Sequence, residues 1–149
     1  MSSTIKLQGE FDLIHIRDNE VVSKETIKNL VVNVGKEYTA KLACGMETDP
    51  WSWIQIGHSG DEPTGSQTAL INYYTEAQGI PSYLEGYRMV VSHTFTISGA
   101  GGEGVKIAEA GVFNRTRASS PTMLCRQKFT ERTLLNDDNL QVVWRVTFG

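Results

Sequence analysis

Cysteine is nearly missing from this 149-residue chain: there are two, Cys44 and Cys125, far apart and in no CxxC pair. That leaves no disulfide framework and no cysteine-built metal site, and the expectation is two reduced, partly buried thiols. Histidine is also scarce. His15, His58 and His93 show no HExxH spacing and join no Cys/His cluster, so no metal ligand set can be named. Positive charge is short as well, with 14 Lys and Arg against 17 Asp and Glu, for a net charge of −3. A mildly acidic chain is a poor partner for nucleic acid, whose non-specific binding needs a basic surface. No apolar run approaches the roughly 20 residues of a membrane span. The stretch MSSTIKLQGEF carries neither the basic region nor the apolar stretch of a secretory signal, so a product that stays in the cytoplasm is expected. There is no GxSxG and no P-loop. The glycine-rich GAGGEG lies between two strand patterns, whereas a phosphate cradle needs a helix N-terminus directly after the loop.

What is present suits one domain. Hydrophobic residues make up 40% and charged residues 21% of the chain, ordinary values for a globular fold with one core. The acidic pairs Asp61-Glu62 and Asp137-Asp138 read as solvated loop residues, since paired carboxylates do glycosidase work only when held across a cleft. His58, beside Asp61 and Glu62, is a weak metal candidate. His93 lies on the apolar face of a strand and reads as a packed histidine rather than a base. No catalytic, cofactor-binding or metal-binding residue is assigned, and neither nucleic acid nor membrane is expected as a partner.

Taken in order, the first ten residues show no strong pattern and read as an N-terminal arm, with one β-sandwich domain expected over 11–149. FDLIHIR, Asp18-Asn19 and EVVSKETI predict a strand, a turn and a second short strand. Over 29–44, Leu30, Val31, Val34, Tyr38 and Leu42 recur at spacings of three and four, which predicts an α-helix capped by Asn29 and ended by Gly45. Gly35 weakens that helix by roughly 1 kcal/mol relative to Ala. In WSWIQIG, Trp51 and Trp53 share one face and Ile54 and Ile56 the other, as in a strand covered on both sides. TALINYY reads as a short helix and QGIPSYLEGY as irregular. RMVVSHTFTI alternates cleanly, with Met89, Val91, His93, Phe95 and Ile97 on one face. LQVVWRVTFG alternates best of all, through Leu140, Val142, Trp144, Val146 and Phe148. Several strands, one early helix and polar turns together predict a mostly β fold, an antiparallel, jelly-roll-like β-sandwich with one helix.

Two anomalies stand in the hairpin predicted between Val105 and Phe129. Glu109 interrupts VKIAEAGVF, and Arg126 interrupts TMLCRQKF. A carboxylate inside a strand that otherwise favours burial is costly unless paired. The expectation is a structural ion pair between Glu109 and Arg126 that helps fix the strand register. The aromatics Trp51, Trp53, Tyr73, Tyr74, Tyr83 and Tyr87 form a second group. Such a set can stack on sugar rings, as in a carbohydrate-binding module. Core and interface packing is the plainer account, and these six are taken as a candidate interface.

In order along the chain, KNLVVNVGKEYTAKL, the WIQIG strand with its Gly/Pro/Thr loop ending in TAL, EAGVFN, TMLCRQKF and the final VVWRVTFG resemble a family of small β-rich structural proteins of tailed bacteriophages. The resemblance covers nearly the whole chain after the first ten residues. The family's loop after IQIG is commonly richer in Gly and Thr, and here it carries His58, Asp61 and Glu62. The resemblance implies a non-enzymatic virion component assembled in the host cytoplasm. Its partners would be the major capsid protein or tail proteins. A capsid decoration or cement protein is the first expectation, a tail-fibre or baseplate part the second, and a carbohydrate-binding module the third. Such a role implies a homo-oligomer, with a trimer the favoured form.

Overall fold

Asp18 and Asn19 close the first hairpin at positive φ, 52° and 63°, as a two-residue turn between right-twisted strands requires. They join strand β1 (Leu7–Arg17) to β2 (Glu20–Val31) in the computed structural model, which describes residues 6–149. Leu7 to Glu10, expected as part of an arm, are strand: Leu7 pairs with Phe148 and Glu10 with Arg145. The Lys6 carbonyl accepts the Gly149 N–H at 2.8 Å, and residues 1–5 of the expected arm lie outside the described residues.

The helix α1 runs Asn33–Ala43, so it begins later than the spacing implied. Leu30 and Val31 belong to β2, where they pair with Arg126 and Cys125 of β8 (Met123–Leu134). Tertiary strand pairing overrides the helical spacing there, because backbone groups buried against a neighbouring strand must be bonded. The expected cap is therefore displaced. Val32 stands at the N-cap without a side-chain bond, and Asn29 is a strand residue. The stripe itself holds, with Tyr38 buried and Val34 and Leu42 packed on core clusters. Gly45 follows the helix at φ 79°.

Gly35 has a role that helix propensity does not reveal. A Cβ there would sit 2.5 Å from the Leu124 carbonyl oxygen. The helix lies flush on β8 at that point, and Val32 N–H donates to the same carbonyl at 3.0 Å.

The remaining strands are β3 (Trp53–Gly57), β4 (Tyr73–Gln78), β5 (Ser82–Leu84), β6 (Arg88–Thr96), β7 (Val105–Phe113) and β9 (Asn139–Phe148). TALINYY is thus turn and strand rather than helix, and QGIPSYLEGY contains the short strand β5. About 53% of the chain is strand. The nine strands form one antiparallel sheet in the order β4-β3-β7-β8-β2-β1-β9-β6-β5, curled into a half-barrel. The short β2–β8 ladder joins two wings. The wings face each other across one core, where Phe11 of β1 stacks on Trp144 of β9 at 4.6 Å and meets Phe129 of β8 edge-on at 6.1 Å. The best-patterned strand, β9, lies between β1 and β6, and its Leu140, Val142, Trp144 and Val146 are fully buried.

The wing β3-β7-β8 is covered on both sides. Ile54 and Ile56 enter the main core, while Trp53 packs against a second cluster of Val32, Phe113 and Met123. Trp51 precedes the strand and joins the main core, so the two tryptophans do not share a face. Double cover explains why β7 is buried from Ile107 to Phe113.

Candidate interaction surface

Strand pairing sets Glu109 opposite Lys128 and Arg126 opposite Gly111. Arg126 therefore reaches diagonally past a residue with no side chain to meet Glu109, the geometry in which long side chains touch across neighbouring strands. Its Nε donates to Glu109 Oε1 at 2.9 Å, and both side chains are 0% exposed. The pair does more than bridge β7 and β8. Glu109 Oε1 also accepts the Ile71 N–H at 2.9 Å, and Oε2 accepts those of Asn72 at 2.8 Å and Ser59 at 3.0 Å. Arg126 in turn donates to the Asp61 carbonyl at 3.0 Å and the Ser59 carbonyl at 3.4 Å. The loop over 58–72 is thereby fastened at both ends to one buried ion pair. Gly57 makes room for this: a Cβ on it would lie 2.7 Å from Glu109 Oε2. Spacing in the sequence pointed to the two charges but not to the loop, whose backbone donors carry no residue-type signal.

A second buried node was not legible. Asp138, expected as a solvated loop acid, is buried. Arg17 donates to it twice, from Nε at 2.9 Å and Nη2 at 2.7 Å; the Leu135 N–H donates at 2.8 Å, and His15 Nε2 lies 2.8 Å away. The Arg17 guanidinium, chiefly, holds the Asp138 carboxyl well below the usual carboxylate range. This carboxylate ties the β8–β9 turn to the end of β1. The other expected loop acids are exposed, and Glu62 forms a surface pair with Lys128.

Of the six interface aromatics, Trp51 is a correction. It is 3% exposed, stands edge-on to Tyr38 at 4.9 Å and donates its indole N–H to Thr39 Oγ1 at 3.3 Å. A core residue held in this way cannot meet a partner. Trp53, Tyr73 and Tyr74 are half-buried. Arg117 lies over the Tyr73 ring at 4.2 Å, and His58 stands edge-on to Tyr74 at 5.3 Å. Only Tyr83 and Tyr87, 73% and 75% exposed, are free to make contacts. They flank a groove of about 370 Å³ lined also by Pro81, Met89 and Phe148. Ile80, just before it, is 86% exposed. The groove lies at β5, which ends the strand order and pairs only with β6.

The histidines divide. His58 Nδ1 is 2.6 Å from the Lys106 carbonyl oxygen. His93 packs edge-on to Phe95 at 4.8 Å, and burial lowers its pKa below the usual imidazole value. Among the described residues no three His, Cys, Asp or Glu side chains converge as a metal site, and no helix is long and apolar enough to cross a membrane. Cys44 is an exposed free thiol and Cys125 a buried one. Comparison with family models, with curated proteins and with solved structures finds no match to this chain.

Proposed function

We propose that the chain is a non-enzymatic structural subunit of a tailed-phage virion, a capsid decoration or cement protein that stabilises the head through oligomeric contacts with the major capsid protein. The sequence resemblance supplies the class of assembly. The observation that carries the reading is the apolar sheet edge at β5, where Ile80, Tyr83 and Tyr87 stand exposed together. A sheet end with an unpaired backbone edge and clustered large apolar side chains favours association. Tyrosine suits such a surface because its ring buries apolar area while its hydroxyl keeps a hydrogen bond. The occupant of the edge is a second copy of this chain, with a closed trimer as the assembled form. A jelly-roll-like arrangement of the two wings is part of the same proposal, since that architecture recurs in virion subunits.

Copy number in purified particles, with light scattering on the isolated protein, tests this. Hundreds of copies per particle and an oligomer that Ile80→Ser/Tyr83→Ser/Tyr87→Ser dissolves are expected. A handful of copies would move the protein to the tail or baseplate. A monomer at all concentrations, both alone and with particles lacking it, would overturn the assembly role.

A further inference from the structure

A second groove, unlike the β5 edge, opens where the start of β3, the end of β4 and the loop after β7 meet. Its volume is about 570 Å³, within the usual range of small-molecule sites. Trp53 lies in register with Gln78 on one side and Phe113 on the other, so its indole is set among the groove's walls. Trp53 packs against the Val32, Phe113 and Met123 cluster and is only half-buried. Ile80 and Pro81 form an apolar wall, and polar side chains from separate elements line other parts: Asp49, Gln78, Asn114, Arg115 and Ser119.

Asn114 is the informative member. It is 3% exposed, and its Oδ1 accepts the Thr122 N–H at 2.7 Å, which orients the amide. Its Nδ2 is buried with no protein hydrogen-bond partner among the described residues. A buried amide donor left unpaired costs the desolvation of that group with nothing to offset it. Native structures leave few such groups without a reason, and an absent ligand or ion is one of them.

Charge narrows what fits. Arg115 donates to Asp49 Oδ2 at 2.5 Å and lies 3.7 Å from Glu47. Its positive charge is already matched by carboxylates, so an anionic ligand meets no free cation here. A purely apolar ligand would strand the amide and the ion pair without water. A neutral ring with C–H groups on one face and hydroxyls around its edge satisfies both kinds of wall: the face against the indole, the hydroxyls toward Asn114, Gln78 and the Asp49–Arg115 pair.

We propose that this groove, with Trp53 as its stacking face and Asn114 as its buried donor, is a binding site for a neutral saccharide. The groove borders the β5 edge through Ile80 and Pro81, but Trp53 and Asn114 belong to it alone, so saccharide binding and self-association are read by separate variants.

The test uses the whole chain, labelled for NMR, titrated with glucose, galactose, N-acetylglucosamine and their short oligomers. Glucuronate and N-acetylneuraminate form an anionic arm. Concentrations reach about 100 mM, well above the millimolar affinities that correspond to about −4 kcal/mol. At least one neutral saccharide is expected to shift the Trp53 indole and the Asn114 side-chain amide saturably. Ser119→Trp, at an exposed position on the rim, is expected to weaken that binding at least tenfold with Tm unchanged. Three results would overturn the proposal: no shift with any neutral saccharide, shifts with the anionic sugars alone, or unchanged binding in Ser119→Trp.

Discussion

Replacing Glu109 with Leu removes the acceptor for four donors at once: the backbone N–H groups of Ser59, Ile71 and Asn72, and Arg126 Nε. Arg126 keeps the Asp61 and Ser59 carbonyls and, at 3.5 Å, Gln67 Oε1, but loses its only carboxylate while fully buried. A stranded buried charge costs about 3–5 kcal/mol, and each unpaired N–H adds up to about 1–3 kcal/mol until the loop opens to water. Glu109→Leu should therefore cost about 4–5 kcal/mol, the loop's release setting the ceiling. Arg126→Met should cost less, about 3 kcal/mol, because the carboxylate keeps three backbone donors. The double variant has no buried charge but still leaves the three loop donors unpaired. Its cost should stay near 3 kcal/mol instead of reaching the sum of the singles, about 7–8 kcal/mol, a coupling of about 4–5 kcal/mol, at or above the usual range for residues in contact. Denaturant unfolding of the four proteins measures the cycle, and amide exchange locates the damage. Faster exchange at Ile71 and Asn72 with β7 and β8 unchanged would make the pair a loop clamp. Altered exchange along both strands would extend its role to register, since a one-residue slip turns every side chain to the other face. Additive singles, or variants all within about 0.5 kcal/mol of the parent, would refute the reasoning.

Other outcomes follow from single sites. Cys44 should react at once with a thiol reagent and Cys125 only after unfolding, because burial pushes the Cys125 thiol far above its ordinary pKa; titration of denatured, unreduced protein should find both. Asp138→Asn should cost about 1–3 kcal/mol at neutral pH. Because the folded Asp138 pKa is depressed, its contribution is present above the unfolded value of about 3.9 and lost as pH falls below it, so parent and variant should converge in Tm toward pH 2. Gly35→Ala should destabilise by about 1–3 kcal/mol, although helix propensity alone favours Ala by about 1 kcal/mol; denaturant midpoints give the sign.

Period was a reliable guide wherever one face met one core. The alternations of β6 and β9, the Asp18-Asn19 turn and the Val34, Tyr38 and Leu42 stripe all appear where the spacing put them. It misled where two elements abut. At 30–31 the residues fit a helical stripe, yet they form the ladder that joins the two wings. In TALINYY, the approach to β4 runs over the Glu109 carboxylate, and Ile71 and Asn72 spend their backbone donors there instead of on a helix. Trp51 and Tyr83 look alike as aromatics in a polar region. One is buried by Tyr38 and the other left bare at a sheet end, and only the strand order distinguishes them. The groove at Trp53 has the same origin: Trp53 stands out in the sequence as an aromatic, but Asn114 does not, because the missing partner of its Nδ2 is a property of the fold.

The residues that looked like local defects mark these joints. Gly35 in the helix and Glu109 in the strand each weaken the element that holds them, by backbone entropy in one case and desolvation in the other. Each is also where a second layer makes closest approach. The missing side chain of Gly35 lets the helix meet the Leu124 carbonyl, and the carboxylate of Glu109 collects the backbone of a loop that supplies no strand pairing there. An apolar residue at 109 would leave those N–H groups unbonded beneath the loop, and a Cβ at 35 would push the helix off β8. The sequence accepts a weaker helix and a charged strand because the alternative is an outer layer with no fixed seat on the sheet. The loop over 58–72 thus covers the outer face of the β3-β7-β8 wing in one position, while Ile80, Tyr83 and Tyr87 stay exposed at the β5 end of the strand order.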